Sequence, residues 1–269
     1  MNHLPLHVRV PIEGNNPSIT RLEEKCIKCG MCKDVCTNAI GVHGTYTFEQ
    51  TCGEAVCINC GQCANVCPVD SIMEKYEYLD VKREVQNSEK IVIVSTSPSV
   101  RAALGEEFGM LDGSFVQGKM VSLLRKLGVN YVLDTCFAAD LTIVEEASEL
   151  IERVTKKNAP LPQFTSCCPA WVKYAEIYHP ELLENLSTCK SPIGMQCSII
   201  KTYFAEVKNF ESSKIVTVAI APCTSKKMEA KEYTPNIDYV MTTSELAIYL
   251  KEEEINLSSL EENEYDSIL

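Results

Sequence analysis

Two stretches of the chain carry four cysteines each at identical spacing. CIKCGMCKDVC begins at Cys26 and CINCGQCANVC begins at Cys57, and both follow the pattern C-x2-C-x2-C-x3-C. Three thiolates at this spacing come from one tight loop and wrap a cubane of iron and sulfide, while the backbone amides of the loop soften the negative charge of the cluster. The two stretches, here called the first and second cysteine runs, therefore predict 4Fe-4S chemistry.

The spacing also predicts how the eight cysteines divide between two clusters. In proteins that hold two such clusters, the fourth cysteine of each run ligates the cluster of the other run. The first predicted set is therefore Cys26, Cys29, Cys32 and Cys67. The second predicted set is Cys57, Cys60, Cys63 and Cys36. Zinc is the alternative because paired C-x2-C motifs also suit it, but zinc takes four ligands per ion and does not need this spacing twice over.

Two more cysteines stand side by side in the stretch TSCCPAW, as Cys167 and Cys168. Consecutive residues make a poor disulfide, because the bridge requires well separated backbones. We therefore expect the pair to have two different tasks. The roles of the other cysteines are open, and we interpret them as small structural side chains, with a ligand role for Cys189 and Cys197 as the alternative. These remaining cysteines are Cys52, Cys136, Cys189 and Cys197.

Composition narrows the class of protein. The chain has 269 residues, of which 45% are hydrophobic, and a formal net charge of −12. An acidic chain is a poor partner for nucleic acid, and no stretch approaches the ~20 apolar residues that a membrane span needs. The N-terminal sequence lacks the basic start and apolar core of a signal peptide, so we expect a cytoplasmic protein. In that reducing compartment cysteines bind metal more often than they form disulfides.

The elements that must position these residues fall into two predicted domains. A polar stretch, YEYLDVKREVQNSEK, follows the cysteine runs, and we place a boundary near residue 85. Residues 1–85 form a predicted ferredoxin-like α+β domain. In residues 86–269, β-branched runs such as KIVIVST and KIVTVAIA alternate with helical stretches, which predicts an α/β domain with a mainly parallel sheet. Ser97 and Cys223 follow such runs, at the strand ends where open α/β sheets bind ligands.

These motifs together resemble those of the iron-only (FeFe) hydrogenases. TSCCPAW resembles the first active-site signature of that family and APCTSKKMEA the second, while SPSVRAALGEEFG, DLTIVEEASEL and SPIGMQCSIIKTYFAE resemble segments that line its active site. The resemblance runs from about residue 20 to the last residue. It implies an H-cluster, in which a 4Fe-4S cubane is joined through a cysteine sulfur to a diiron unit, and the interconversion of protons, electrons and dihydrogen.

The resemblance also implies roles for individual residues. Cys168 and Cys223 would ligate the cubane of the H-cluster, while Cys167 would stay unligated. The residues that would hold the ligands of the diiron unit are Ser97, Pro98, Ser99 and Lys226.

A proton route is the last implied feature, and it runs from Cys167 through Glu146 and Ser187 to Glu149. Glu146 and Glu149 lie three residues apart, so they share a face of a predicted helix. A thiol can exchange protons near neutrality with a buried carboxylate, and we expect burial to raise the pKa of that carboxylate. Without the resemblance, the stretch EEASEL would be interpreted as an ordinary solvated helix surface.

One family feature is absent from the sequence. The third active-site signature is rich in glycine and supplies two further cysteines, but no cysteine follows Cys223 here. We therefore expect either a fragment or a protein completed by another chain, and activity of this chain alone is doubtful.

The implied function is a reversible hydrogenase. Its implied partners are a ferredoxin or similar soluble electron carrier and the hydrogenase maturation proteins. A non-catalytic iron-sulfur assembly protein and a hydrogen sensor are the alternatives. The four relay residues favour the enzyme, because an assembly protein has no use for a proton relay.

Overall fold

The computed structural model describes residues 8–42, 55–157 and 159–268. The strands are β1 (Ile19–Arg21), β2 (Ile72–Glu74), β3 (Ile91–Thr96), β4 (Tyr131–Asp134), β5 (Ile215–Ile220) and β6 (Tyr239–Met241). The α-helices are α1 (Met31–Asp34), α2 (Gln62–Asn65), α3 (Tyr78–Gln86), α4 (Val100–Ala103), α5 (Gln117–Lys126), α6 (Cys136–Lys156), α7 (Pro169–Tyr178), α8 (Pro192–Ile199), α9 (Ala205–Val207), α10 (Ser225–Glu232) and α11 (Thr243–Glu252). No helix among these residues has the length and apolar content needed to cross a lipid bilayer.

Contacts divide the chain into two compact units that do not follow chain order. The first unit joins three separate segments, Met1–Lys75, Cys168–Leu183 and Cys223–Met228. The second unit contains the rest, Tyr76–Cys167, Glu184–Pro222 and Glu229–Leu269. The linear boundary near residue 85 stays a prediction about the domains.

The first unit is built around a short antiparallel pair of strands. β1 precedes the first cysteine run and β2 follows the second, and Ile19 lies opposite Glu74. This pairing returns the chain to its starting point, so both runs project from one base. The small core beneath them is apolar and includes a cysteine: Val10, Ile19, Cys63 and Ile72.

The second unit contains a four-stranded sheet in the order β4-β3-β5-β6, with every pair parallel. The predicted mainly parallel sheet is therefore confirmed. All six residues of β5 are buried, as expected for a parallel strand covered on both faces. On one face Val94 and Val218 pack against side chains from α5 and α11, and on the other Ile93 and Ile215 pack against Phe204.

The strand order fixes where this sheet can bind a ligand. From β3 the chain moves to one side to form β4, whereas from β5 it moves to the other side to form β6. The connections therefore diverge between β3 and β5, and in open α/β sheets ligands bind in the crevice at such a switch point. Ser97 extends the ladder there, because its backbone N–H donates to the Ile220 carbonyl at 2.9 Å.

Candidate iron-sulfur sites and proton relay

The first predicted set of cysteines surrounds a cavity in the first unit. This cavity has a volume of about 20 Å³. Its lining includes Cys26, Cys29, Cys32 and Cys67, together with Arg9, Arg21 and Ser71. Three of the cysteines come from the first run and one from the second, which is the division that the spacing predicts.

The second predicted set surrounds a separate cavity in the same unit, with a volume of about 30 Å³. Its four cysteines are Cys36, Cys57, Cys60 and Cys63. Apolar side chains form much of the remaining wall, among them Val10, Ile19, Ile40 and Ile58. Among the described residues no three His, Cys, Asp or Glu side chains are placed to hold one metal ion. The eight cysteines instead line two separate cavities, with four cysteine residues at each.

Both runs use the same backbone turn. Lys28 and Asn59, two residues after the first cysteine of each run, have φ angles of 58° and 60°. Gly30 and Gly61 follow at φ angles of 85° and 75°. Left-handed residues at matching positions give the two loops the same turn, which brings the Asn59 N–H to 3.3 Å from the Cys57 sulfur.

Backbone donors also reach the crossing cysteine Cys67. The N–H groups of Ser71 and Ile72 donate to its sulfur at 3.2 and 3.4 Å. Hydrogen bonds of this kind to cysteine sulfurs help to set the properties of iron-sulfur clusters. The thiol sets, the two cavities and these donors together fit a 4Fe-4S cluster at each position.

The two sets differ in their electrostatic environment. Burial raises the pKa of Cys26 and Cys67, but hydrogen bonds outweigh it and hold both values below the ordinary thiol value. In the second set burial prevails: it raises the pKa of Cys57 and Cys60, and that of Cys63 to about 12. Thiolates of the second set therefore need a metal to offset their desolvation.

The segment Cys223–Met228 lies against the second run within the first unit. Burial raises the pKa of Cys60, and the charge of the neighbouring Cys223 raises it further. Thr224 Oγ1 donates to the Asn59 carbonyl at 2.9 Å, and Ser18 Oγ donates to the Thr224 carbonyl at 2.9 Å. The approach is so close that a Cβ on Gly61 would lie 2.6 Å from Thr224 Oγ1.

Cys168 and Cys223 each precede a helix. Cys168 is the N-cap residue of α7 and is exposed. Cys223 comes two residues before α10, and its sulfur lies 2.9 Å from Ser225 Oγ. The N-terminal end of a helix favours a thiolate, because the backbone N–H groups there carry partial positive charge. Lys226 is half-buried on α10.

The turn after β3 carries Ser97, Pro98 and Ser99, with Pro98 and Ser99 exposed. Arg101 Nε donates to the Pro98 carbonyl at 3.2 Å. The same guanidinium forms two hydrogen bonds with Asp134 at the end of β4, at 3.0 and 2.9 Å. Arg101 braces this turn, and only its place in one of the family-like segments could have indicated it from the sequence.

The structure brings two residues of the predicted proton route into contact. Ser187 Oγ donates to Glu149 Oε2 at 2.8 Å. The Thr188 N–H donates to the same oxygen at 3.1 Å. Glu146 lies one turn earlier on α6, and its buried Oε1 has no hydrogen-bond partner within the part of the chain that the structure describes. The loop of Cys167 is tied to the Ser187 segment, because Ser187 N–H donates to the Phe164 carbonyl at 2.7 Å.

Arg153 is the residue of this region that the sequence analysis missed. It is 4% exposed, and its Nη2 and Nε donate to Glu149 Oε1 at 2.6 and 3.1 Å. It also donates to the carbonyl of Leu186 at 2.7 Å and to two other carbonyls. The i,i+4 spacing of Glu149 and Arg153 on a helix was the available signal.

Arg153 overturns one expectation. Burial raises the pKa of Glu149, but hydrogen bonds from Arg153, Ser187 and the Thr188 N–H outweigh it and hold that pKa below the ordinary value. Our expectation that desolvation would raise the pKa of a relay carboxylate is therefore wrong for Glu149. Its carboxylate is therefore ionised at neutral pH.

Comparison with known proteins gives the family. The sequence profile described as "Iron only hydrogenase large subunit, C-terminal domain" matches residues 90–269. The chain belongs to the iron-only hydrogenase family. A second profile, for a 4Fe-4S binding domain, matches residues 54–73 around the second cysteine run.

Relatives within this family have different activities. The NADP-reducing hydrogenase subunit HndD of Solidesulfovibrio fructosivorans is 42% identical over 94% of this chain and 47% of its own length. The cytosolic Fe-S cluster assembly factor narfl of Danio rerio is 34% identical over 72% of this chain and 50% of its own. An apo FeFe-hydrogenase of Chlamydomonas reinhardtii, variant C377H, matches with a TM-score of 0.67 at 39% identity, over 71% of this chain and 51% of that one. The chain spans about half the length of the curated relatives it matches.

The leftover cysteines have surroundings of different kinds. Cys197 is fully buried on α8, where burial raises its pKa to about 12. Cys136 receives a hydrogen bond from Arg101 at 3.4 Å, and the Cys189 sulfur lies 3.9 Å from Glu149 Oε2. Cys52 lies outside the described residues. That Cys136, Cys189 and Cys197 serve only as small structural side chains stays a prediction.

Proposed function

We propose that this chain forms part of a cytoplasmic hydrogenase that oxidises dihydrogen and reduces protons reversibly, exchanging electrons with a ferredoxin-type carrier. The observation that carries the proposal is the order of cysteines in the first unit. The first set of four includes the exposed Cys29, the second set includes the buried Cys63, and Cys223 lies beside Cys60 of the second set. Such an order suits the stepwise passage of electrons between the surface and a buried active site.

The electron path begins at the first set. Cys29 is exposed, so a carrier could approach a cluster bound there closely. The second set is enclosed by apolar side chains, and Cys60 is close enough to Cys223 for their charges to interact. A hydrogen bond from Thr224 Oγ1 to the Asn59 carbonyl joins the two segments. In this proposal electrons enter at the first set and leave the second set toward Cys223.

Cys168 and Cys223 are two of the four thiolates that the cubane of an H-cluster requires. When bound, that group would supply the iron at which protons, electrons and dihydrogen are interconverted. The donor set described here is partial, so we propose that two further cysteines come from the half of the family's length that this chain does not span. Maturation proteins would insert the diiron unit, and Lys226 and residues 97–99 would hold its ligands.

The proposed proton route runs along α6 and the segments that contact it. Cys167 would exchange a proton with Glu146, whose buried Oε1 has no hydrogen-bond partner among the described residues. Ser187 would pass it on to Glu149, to which it already donates. Arg153 fixes the position of the Glu149 carboxylate and keeps it ionised. A low pKa at the outer end of the route lets each proton leave quickly to solvent.

An iron-sulfur assembly role is the second candidate, because the family includes assembly factors at 34% identity. Such a protein needs cysteines but no proton relay. The buried network of Glu149, Ser187 and Arg153 therefore favours the hydrogenase.

The test uses three cysteine variants in a preparation completed with maturation proteins and the unmatched half of the Solidesulfovibrio relative. Cys167→Ala should keep its iron but lose hydrogen evolution at least ~100-fold, because a positioned acid or base is removed. Cys168→Ala should lose iron as well as activity, whereas the control Cys136→Ala should keep both. A completed wild-type preparation that binds iron but neither makes nor consumes hydrogen would contradict the proposal and favour the assembly role.

A further inference from the structure

The buried side chain of Asn16 contacts a sulfur of the second predicted set. Its Nδ2 donates to the Cys57 sulfur at 3.7 Å, and the residue is 8% exposed. Asn16 belongs to neither cysteine run and lies 41 positions before Cys57 in the chain. The contact therefore depends on the fold of the first unit and not on the cysteine spacing.

Two backbone donors fix the orientation of the Asn16 amide. The N–H groups of Ser18 and Ile19 both donate to Asn16 Oδ1, each at 2.9 Å. A side-chain amide has one accepting end and one donating end, so the reversed amide would place its NH2 group against these two donors. Asparagine favours such turns, because its oxygen accepts from the backbone two residues further on. The turn therefore directs Nδ2 toward the sulfur.

The turn of Asn16 is tied to the Cys223 segment within the first unit. Ser18 Oγ donates to the Thr224 carbonyl, and Thr224 Oγ1 donates to the Asn59 carbonyl, both at 2.9 Å. The Asn59 N–H also donates to the Cys57 sulfur, at 3.3 Å. These bonds form a closed ring that begins and ends at the Cys57 sulfur, and both of the donors named here belong to it.

We propose that Asn16 tunes electron transfer, because its amide raises the reduction potential of a 4Fe-4S cluster bound by the second set. Reduction adds one electron from a carrier, and an N–H donor at a cysteine sulfur stabilises the added negative charge. The apolar walls of this cavity have the opposite effect, since they exclude the water that would stabilise charge. Asn16 thus offsets part of the effect of burial on the potential.

This inference deepens the electron path of the proposed function. It rests on the binding of a cluster at the second set, but it does not require hydrogenase activity. The consequence for the path is that the inner site accepts an electron more readily than its apolar walls alone would permit.

The test measures the reduction potential in a Cys29→Ala background, in which only the second set keeps its four cysteines. The chain is reconstituted anaerobically with iron and sulfide, titrated with dithionite and followed by electron paramagnetic resonance. Asn16→Asp keeps an oxygen that accepts from Ser18 and Ile19 but replaces the donor with a charged oxygen. It should make reduction at least tenfold less favourable, a negative shift of ~59 mV or more.

Asn16→Ser separates the lost donor from the added charge. Its hydroxyl oxygen accepts in similar turns but is too short to reach the sulfur as well. Reduction should become about threefold less favourable, a negative shift of ~28 mV. Asn185→Asp is the matched control, because Asn185 is also 8% exposed but its Nδ2 donates to the Pro162 carbonyl, and the potential should not change.

Iron analysis and circular dichroism check that each variant is folded and holds about four irons. An unchanged or more positive potential in Asn16→Ser, or an equal shift in Asn185→Asp, would overturn the inference. Loss of iron from Asn16→Ser would assign the residue a structural role and overturn it as well. A Cys29→Ala protein that binds no iron would contradict the inference together with the proposed electron path. The expected shifts in a chain whose completed preparation neither makes nor consumes hydrogen would contradict only the proposed hydrogenase.

Discussion

The two cysteine runs share a sequence pattern and a backbone turn but not an environment. In the first run Ile27 is 61% exposed and Met31 46% exposed, and Cys29 is open to solvent. In the second run Ile58, at the position of Ile27, is 8% exposed. The comparison teaches that a repeated spacing gives the same loop twice, whereas burial gives each loop a different environment. A repeated loop thus becomes an outer and an inner site.

Loss of one ligand from each run is the largest expected effect. The reconstituted wild-type chain should hold about eight irons in the two runs, since each 4Fe-4S cluster has four. Cys60→Ala should remove about four irons, and Cys29→Ala should remove the other four. Iron analysis and electron paramagnetic resonance of the reduced samples will measure this. Loss of all iron from either variant would mean that the two sites do not form independently.

Comparing the stabilities of the Gly61→Ala and Gly30→Ala variants tests whether the second run is packed more closely than the first, against Thr224. Both alanines would be strained at positive φ, by ~1–2 kcal/mol. At Gly61 the new Cβ would also lie 2.6 Å from Thr224 Oγ1, whereas at Gly30 the nearest atom would be 3.4 Å away. Overpacking adds ~1–3 kcal/mol, so Gly61→Ala should lower unfolding free energy by ~2–5 kcal/mol and Gly30→Ala by ~1–2 kcal/mol. Anaerobic denaturant titration measures both, and equal losses would contradict the close approach.

The reduction potentials of clusters bound at the two sets should also differ. Reduction adds negative charge, which water and N–H donors stabilise, and the outer set has more of both. The cluster of the first set should therefore be the less negative couple, by about 59 mV or more, a tenfold difference in a one-electron equilibrium. Titration of Cys60→Ala and Cys29→Ala separately assigns each potential. The reverse order would show that exposure is not the controlling factor.

Exchange of the two left-handed residues includes the smallest expected effect, that of Lys28→Asn. Lys28→Asn places a residue that tolerates positive φ better at an exposed site, and should stabilise the chain by a few tenths of a kcal/mol. The reverse change, Asn59→Lys, should destabilise it by ~1–3 kcal/mol, because Asn59 is 5% exposed and its amide contacts Met228 Sδ at 3.0 Å. Thermal unfolding of the two variants checks the contrast, and equal shifts would mean that burial does not separate the runs.

Local patterns in the sequence predicted much of the fold. The β-branched runs KIVIVST and KIVTVAIA became β3 and β5, because a strand buried on both faces requires continuous apolar residues. The two predicted cysteine sets follow from spacing alone and surround separate cavities. Their role as cluster ligands stays a prediction.

Features that depend on distant contacts could not be predicted. The order of the strands, the three β1 residues that pair with β2, and the approach of Thr224 to the second run depend on residues far apart in the chain. The lowered pKa of Glu149 was missed for the same reason, since Ser187 and Thr188 come from another segment. Glu149 and Arg153 are close in sequence, but only the structure shows that Arg153 is buried.

The three-part composition of the first unit places assembly late in synthesis. Its cysteine runs lie before Lys75, but its last segment ends at Met228, about 150 residues further on. At ~5–20 residues per second a ribosome needs roughly 8 to 30 s to cover that distance. During this interval both runs have left the ribosome while the segments that pack against them have not. The thiols of both runs therefore stay exposed during this interval and must be protected from oxidation until the later segments pack against them.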